Sequence, residues 1–260
     1  MRLGGLWFDN VTMDEALERV GELVQARRPA LVVTPNVDHV VRARRDPAYA
    51  ATVAQAALVL ADGQPLVWLS WMLGTPLKER VAGSDLLPRL CAFAAERGWR
   101  VFLLGGAPGA AAAARRVLVR RHPTLQVEGT YCPPMGFETD PLEQAKARAV
   151  VAAVRPQIVF VGLGSPKQER WIVENMHAYG PAVSIGVGIS FSFVAGHVRR
   201  APRWMQRCGL EWLHRVWQEP RRLAARYFLR GWSFVPMALE DLARVWLGGN
   251  GRVLAPPPHF

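Results

Sequence analysis

The chain has 260 residues, half of them hydrophobic, and a formal net charge of +11 at pH 7. This length supports one large folded domain, or one domain with an appendage, and the charge indicates an anionic partner such as a nucleotide, a nucleic acid or a membrane surface. No secretory signal and no charge-free run of about 18 residues occurs, which argues against secretion and against membrane spanning. Three widely spaced cysteines form neither a disulfide framework nor a zinc pattern, so a cytoplasmic protein is expected.

Strand and helix patterns alternate along most of the chain. A capping box, Thr12 to Glu15, opens a helix that is predicted to run to about Ala26. Six strands are predicted after it, at Ala30–Thr34, Ala57–Ala61, Arg100–Gly105, Leu125–Thr130, Gln157–Gly162 and Ala182–Gly186. This alternation predicts an α/β fold of Rossmann-like type, with a largely parallel sheet covered by helices on both faces.

Polar residues follow the first two of these strands, where open α/β sheets bind their ligands. Thr34 and Asn36 place a hydroxyl and an amide after the first strand, and Asp62 places a lone carboxylate after the second. Asp62 is the best candidate for a general base in the chain. The alternative is that Asp62 only forms a turn before Gly63.

Two further segments offer groups for a phosphate. Arg80 precedes an apolar helix at Leu86–Glu96, which Ser84 or Asp85 is predicted to cap. Gly105 and Gly106 end a strand before an alanine-rich helix, an arrangement suited to a diphosphate at a helix N-terminus. The first glycine of a dinucleotide-binding GxGxxG motif is missing, so a nicotinamide-dependent oxidoreductase rests on this glycine pair alone.

The segment QIVFVGLGSPKQERWIVEN, residues 157–175, predicts a buried strand, a tight loop at Gly164 and a helix. Ser165 is predicted to be the N-cap of this helix and Pro166 its first residue. Lys167 and Gln168 then lie in the first turn, where unpaired N–H groups favour an anion. A polar, phosphorylated ligand is one interpretation, and an ordinary strand-to-helix corner with its lysine in solvent is the other.

The pattern changes after Gly196, which divides the chain into a predicted α/β domain, 1–195, and a helical appendage, 196–260. Residues 197–260 contain eleven arginines and four acidic residues, a net charge of +7. An amphipathic helix is predicted at Arg203–Gln218 and a second helix at Arg221–Arg230. Their basic residues include Arg203, Arg207, Arg215, Arg222 and Arg226.

Tryptophans are concentrated in the same appendage, which holds five of the ten in the chain. Tryptophan beside arginine at helical spacing is typical of a membrane interface, so docking on an anionic membrane is expected. The alternatives are an appendage packed on the domain or on another subunit, and a surface that stacks the bases of RNA.

Several catalytic signatures are missing from the sequence, among them the P-loop, GxSxG, HExxH and an Asp-x-Asp pair for a divalent metal. No metal or other cofactor is therefore expected. If a nucleotide diphosphate leaves during a reaction, arginine, lysine and helix dipoles must stabilise it.

Together these motifs resemble the WecG/TagA/CpsF family of bacterial glycosyltransferases. The matching segments are TPNVDH at 34–39, ADGQPLVW at 61–68, RVAGSD at 80–85, VGLGSPKQE at 161–169, RAPRWMQ at 200–206, GLEW at 209–212 and QEP at 218–220. The resemblance implies a fold of GT-E type and an inverting, metal-independent transfer from a UDP-sugar to an undecaprenyl-diphosphate-linked sugar. Known members use UDP-N-acetylmannosamine, its uronic acid or UDP-glucose, on the cytoplasmic face of the membrane.

The resemblance also implies roles for particular residues. Asp62 matches the proposed catalytic base of the family, and Arg80 matches an arginine suited to the diphosphate. Thr34, Asn36 and Gln168 match polar residues that line the same pocket. A departure occurs at Ser192, where many members have aspartate, so the resemblance does not identify the donor sugar. The remaining candidate substrate-binding residues are Asp85, Gly105, Gly106, Gly164 and Lys167.

The resemblance names a sugar donor, a lipid-linked acceptor and an anionic membrane as partners, and no nucleic acid. A homo-oligomer is a further possible assembly. The rival interpretation is a nucleotide-binding regulatory module that performs no chemistry and uses its basic tail to hold RNA or a partner protein.

Overall fold

A computed structural model describes residues 1–218, 220 and 233–247. A short antiparallel hairpin, β1 (Arg2–Leu3) and β2 (Leu6–Trp7), begins the chain. The six predicted strands are confirmed, with small differences at their ends. They are β3 (Ala30–Val33), β4 (Leu58–Val59), β5 (Arg100–Gly105), β6 (Gln126–Tyr131), β7 (Ile158–Gly162) and β8 (Val183–Gly186).

These six strands form one parallel sheet in the order β4-β3-β8-β7-β5-β6. The register places Val32 opposite both Leu58 and Ile185. The chain builds outward from β3 to β4 at one edge and from β5 to β6 at the other, with β8 and β7 between them. A change of winding direction of this kind opens a crevice at the carboxyl ends of the central strands.

Helices connect the strands and cover the sheet. They are α1 (Met13–Gln25), α2 (Val37–Arg45), α3 (Pro47–Val53), α4 (Gln64–Met72), α5 (Gly83–Arg97), α6 (Ala110–Arg121), α7 (Pro141–Val154), α8 (Lys167–Asn175) and α9 (Ser190–Val194). The predicted capping box of α1 is confirmed, because the Thr12 hydroxyl accepts a hydrogen bond from the Glu15 N–H and the Glu15 carboxylate accepts one from the Thr12 N–H.

Both faces of the sheet are buried. Along β5, Val101 and Leu103 pack into a core with residues of α1, α5 and α6, whereas Phe102 and Leu104 pack into a second core with residues of α2, α3, α7 and α8. Alternate side chains of a strand point to opposite faces, so a strand that is apolar throughout requires cover on both sides. The predicted α/β fold with helices on both faces is therefore confirmed.

Two capping predictions are wrong. Helix α8 begins at Lys167, and the Ser165 hydroxyl donates to the Tyr49 hydroxyl at 3.1 Å instead of capping the helix. Helix α5 begins at Gly83, so neither Ser84 nor Asp85 precedes its first turn, and no side chain caps it. Ser165 bonds Tyr49 and Asp85 bonds Arg200, and a local capping pattern does not reveal partners that are this distant in sequence.

The predicted helix Arg203–Gln218 is two helices, α10 (Arg203–Arg207) and α11 (Glu211–Gln218). Gly209 lies between them with φ +63°, a left-handed conformation that ends α10 and that glycine adopts at little cost. The predicted second helix at Arg221–Arg230, with Arg222 and Arg226, lies outside the described residues.

A C-terminal helix, Phe234–Leu247, packs on the α/β domain. Met237 is buried beside Gly4 and Val40, and the Asp241 carboxylate accepts a hydrogen bond from the Gly4 N–H at 3.0 Å. Part of the appendage is thus fastened to the domain, and the boundary at 195/196 stays a prediction. Within the described ranges, every helix is too short or too polar to cross a bilayer.

Candidate functional site

The carboxyl ends of β3, β4 and β8 bring several of the predicted site residues to one place. Thr34 follows β3, and its hydroxyl donates to the carbonyl oxygen of Gly186, the last residue of β8, at 3.3 Å. Asp62 lies beyond β4, and its N–H donates to the Pro35 carbonyl at 3.0 Å. The loops after β3 and β4 are therefore tied together at the edge where α/β sheets bind ligands.

Asp62 lies beside the first residue of α5. Its carboxylate accepts a hydrogen bond from the Gly83 N–H at 3.3 Å. A β-carbon at Gly83 would lie 2.9 Å from the Thr34 hydroxyl oxygen, so a glycine at this position lets the backbone of α5 approach the Thr34 side chain closely. The first residue of α5 therefore contacts both Thr34 and Asp62.

The surroundings of Asp62 favour a neutral carboxyl more strongly than water does. Burial raises the pKa of Asp62 to about 6, the nearby charge of Arg80 works in the opposite direction, and Glu211 raises it further. A carboxylate of this basicity is ionised at neutral pH and takes up a proton more readily than an ordinary aspartate. These are properties of a general base.

Asn36 borders the same loop and caps α2. Its side-chain oxygen accepts hydrogen bonds from the N–H groups of Asp38 and His39 at 3.0 and 3.4 Å, and lies 2.7 Å from His39 Nδ1. The cap uses the oxygen of the amide and not its nitrogen. A β-carbon at Gly63 would lie 3.9 Å from Asn36 Cβ, which places this residue against the Asp62–Gly63 turn.

Gln168 lies on the other side of Thr34, across the end of β8. The side chain is buried, with 4% of its surface exposed. Its oxygen accepts from the Gly188 N–H at 3.0 Å, and its nitrogen donates to Glu169 at 2.8 Å. A β-carbon at Gly186 would lie 2.7 Å from that nitrogen. The orientation of the Gln168 amide is therefore fixed by bonds at both ends.

Lys167 and Gly164 lie near Gln168 in the chain but do not share its contacts. The Lys167 ammonium group pairs with the Glu138 carboxylate at 2.6 Å, and about half of the lysine side chain is exposed. Gly164 has φ +76°, which suits glycine in the tight loop before α8.

Packing explains the glycine pair at the end of β5. Gly105 and Gly106 have φ values of +89° and +87°. A β-carbon at Gly105 would lie 2.9 Å from the Leu163 side chain, and one at Gly106 would lie 3.0 Å from the Phe191 ring. Tight packing of the loop accounts for both glycines, whether or not a diphosphate binds there. Ser192 follows Phe191 in α9 and is buried.

Four ionised side chains form a cluster next to Asp62. Arg80 approaches the carboxylates of Asp85 at 3.2 Å and of Glu211 at 3.6 Å. Arg200 donates two hydrogen bonds to Asp85 and pairs with Glu211 at 3.3 Å. Burial opposes the ionisation of Asp85, but hydrogen bonds and charge from Arg200, together with Arg80, hold its pKa below the ordinary value.

Sequence reasoning found Arg80 and Asp85 and missed Arg200 and Glu211. The two missed residues belong to the RAPRWMQ and GLEW segments, so their motifs were noticed while their contacts were not. Of the predicted basic residues of the appendage, Arg203 and Arg207 lie on α10, between Arg200 and Glu211 in the chain, and Arg215 lies on α11. Among the residues that the structure describes, no cluster of histidine, cysteine and acidic side chains is arranged to hold a metal ion.

Comparison with known proteins places the chain in a family. The model of the WecG/TagA/CpsF glycosyltransferase family matches residues 1–246. An N-acetylglucosaminyldiphosphoundecaprenol N-acetyl-β-D-mannosaminyltransferase of Bacillus spizizenii is 36% identical over 193 residues, which cover 74% of this chain and 73% of the relative. A Staphylococcus aureus protein of the same name, from strain MW2, is 30% identical over 221 residues, covering 84% of this chain and 85% of the relative. The chain therefore belongs to the WecG/TagA/CpsF family of glycosyltransferases.

Proposed function

We propose that this protein transfers N-acetylmannosamine from its UDP derivative to an undecaprenyl-diphosphate-linked sugar, with inversion, without a metal ion and with Asp62 as general base. The observation that carries the proposal is the position of Asp62, a carboxylate of raised pKa at the carboxyl edge of the sheet beside Thr34. The two relatives support the choice of donor and acceptor, because both are named as N-acetylmannosaminyltransferases that act on N-acetylglucosaminyldiphosphoundecaprenol.

The chemical step needs one base and a stabilised leaving group. The acceptor hydroxyl attacks the anomeric carbon of the donor on the face opposite UDP, while Asp62 takes the hydroxyl proton. The new glycosidic bond forms as the bond to UDP breaks, so the configuration inverts and the electron pair leaves with the diphosphate. Asp62 afterwards returns its proton to solvent.

The neighbouring residues hold the donor in this orientation. Arg80 supplies positive charge for the diphosphate, and Asp85 serves the site by holding the guanidinium group of Arg80. The hydroxyl of Thr34 and the amides of Asn36 and Gln168 contact the sugar. Gly105 and Gly106 at the end of β5 and Ser192 of α9 border the donor on the side of α6, and Gly164 and Lys167 border it at the start of α8.

The membrane is the expected location of the acceptor, and an exposed apolar face supports it. Helix α4 starts directly after Asp62 and Gly63, and its outer residues Trp68, Trp71 and Met72 are 40%, 58% and 51% exposed. Trp246 of the C-terminal helix is 74% exposed and donates to the Met72 carbonyl at 3.4 Å. We propose that this face, the tryptophan face, meets an anionic bilayer together with the basic residues after Gly196.

A donor screen tests the proposed reaction. The full chain is supplied with a short-chain lipid-diphosphate-N-acetylglucosamine acceptor and, in separate reactions, with UDP-N-acetylmannosamine, its uronic acid and UDP-glucose. We expect transfer from UDP-N-acetylmannosamine at a rate that EDTA does not change. Loss of transfer in EDTA would contradict the metal-free mechanism, preference for another donor would correct the substrate, and no transfer from any donor would overturn the proposal.

A further inference from the structure

The four-residue cluster of Arg80, Asp85, Arg200 and Glu211 joins two distant parts of the chain. Arg80 and Asp85 precede and begin α5, whereas Arg200 follows α9 and Glu211 is the first residue of α11. Each arginine contacts both carboxylates, so positive and negative groups alternate around the cluster. The side chains are 16 to 34% exposed, and bonds made at this depth are screened less than surface pairs.

Glu211 is the member that fastens α11. Its two oxygens point to different arginines, Oε2 to Arg80 and Oε1 to Arg200. Its place in the first turn of α11 is favourable for a carboxylate, because the helix N-terminus carries partial positive charge. Removing this one side chain leaves two guanidinium groups with Asp85 as their shared carboxylate in the cluster.

The cluster also sets the charge around Asp62. Besides burial, the groups that act most strongly on that carboxyl among the described residues are the guanidinium groups of Arg80 and Arg200, the N–H of Gly83 and the carboxylate of Glu211. The first three favour the ionised form of Asp62, and Glu211 opposes it. Glu211 thus offsets guanidinium charge that would otherwise make Asp62 a weaker base.

Resting on the proposed function, we infer that Glu211 is a positioning residue for the transfer reaction. By binding Arg80 and Arg200 from the start of α11, it fixes the C-terminal segment against the site and balances the positive charge beside Asp62. The basicity of Asp62 that the reaction needs therefore depends on α11 being packed against the site. A residue that merely stabilised the fold would leave the acid dependence of the reaction unchanged.

Opposite charge changes at two members of the cluster test this inference. Glu211→Gln removes a negative charge and Arg200→Gln removes a positive one, and kcat/KM of the full chain is measured from pH 5 to pH 8. Glu240→Gln is the matched control. Like Glu211, Glu240 is an acidic residue after Gly196 that pairs with an arginine of the α/β domain, in this case Arg44, but it is not a member of the cluster.

We expect half-maximal wild-type activity near pH 6, since Asp62 must be ionised to accept a proton. Glu211→Gln should lower this midpoint by about 0.5 to 1 pH unit, and Arg200→Gln should raise it by a similar amount. The Glu240→Gln profile should match that of the wild type.

Unchanged midpoints in both cluster variants would overturn the inference, even where the plateau rates fall, because that result describes a structural role. Shifts of the same sign in both variants would also overturn it. Should one variant fail to fold, the sign of the shift in the other decides. A wild-type protein that transfers no sugar would overturn the proposed function instead, and the two failures are therefore distinguishable.

Discussion

Asp62 keeps an ionisable carboxyl in a partly buried position, which costs folding free energy. Its pKa rises from 3.8 to about 6, and one pKa unit corresponds to about 1.4 kcal/mol. The folded state therefore holds this proton more tightly than the unfolded chain does. Stability falls as pH rises from about 4 to about 6, and ionised Asp62 costs up to about 3 kcal/mol above that range.

Replacing this carboxyl with an amide should stabilise the protein. Asp62→Asn keeps an oxygen that accepts from the Gly83 N–H and removes the buried charge. We expect the free energy of unfolding at pH 7.5 to rise by about 1 to 3 kcal/mol. The gain should shrink at pH 4.5, because Asp62 of the folded wild type is then largely protonated and carries no buried charge. Chemical denaturation at the two pH values measures the difference, and equal stability of variant and wild type at pH 7.5 would contradict the assigned burial cost.

At the scale of elements, the start of α5 closes the site through Gly83. Gly83→Ala would place a methyl group 2.9 Å from the Thr34 hydroxyl oxygen, so either α5 shifts or the Thr34 side chain leaves its position in the site. A displacement of this kind at a reacting centre costs about 10- to 100-fold in rate. We expect a loss of that size in kcat with little change in the unfolding temperature.

Ser84→Ala is the matched control for Gly83→Ala, because it changes the next residue of the same helical turn. Its transfer rate should stay within about twofold of the wild-type rate, as is usual for a small change outside the reacting centre. A Gly83→Ala variant that is as active as Ser84→Ala would show that the contact between α5 and Thr34 does not matter for catalysis.

The strands and the residues just beyond them were predictable from sequence because their signals are local. Apolar runs predict the strands, and because parallel strands end at the same edge of a sheet, Thr34 and Asp62 are expected to lie together there. The cluster of Arg200 and Glu211 was not predictable in this way. Its bonds join residues at the start of α5 to residues after α9, and no periodicity in either segment indicates that contact.

Local patterns also failed where tertiary contacts redirect a side chain or the backbone. Ser165 has the right identity for an N-cap, but its hydroxyl donates to Tyr49. The amphipathic pattern from Arg203 to Gln218 continues through Gly209, yet the chain turns there, and Gly209 packs against Trp68, whose ring would lie 3.1 Å from an added β-carbon. Helical periodicity does not distinguish one long helix from two short ones in register.

At the scale of the whole molecule, the tryptophan face lies at the β4 edge of the sheet. We expect the full chain to sediment with vesicles that contain anionic lipid. A double variant in which serine replaces both Trp71 and Trp246 should bind these vesicles more weakly, because exposed tryptophans supply much of the favourable contact with the headgroup region.

The control for the tryptophan face is Leu142→Ser, which changes an exposed apolar residue on α7, beside β6 at the other edge of the sheet. This variant should bind vesicles as the wild type does. Preference for single-stranded RNA over anionic vesicles would favour the rival RNA-binding module, and undiminished vesicle binding by the tryptophan variant would contradict the assigned surface.

The transfer rate of Asp62→Asn decides whether Asp62 is the base of a sugar transfer. Wild type and variant are compared with UDP-N-acetylmannosamine and the lipid-linked acceptor, and UDP binding is measured on the same preparations. We expect a rate lower by about 10²- to 10⁴-fold, with UDP affinity within about threefold of that of the wild type. Transfer by Asp62→Asn at close to the wild-type rate would contradict that role.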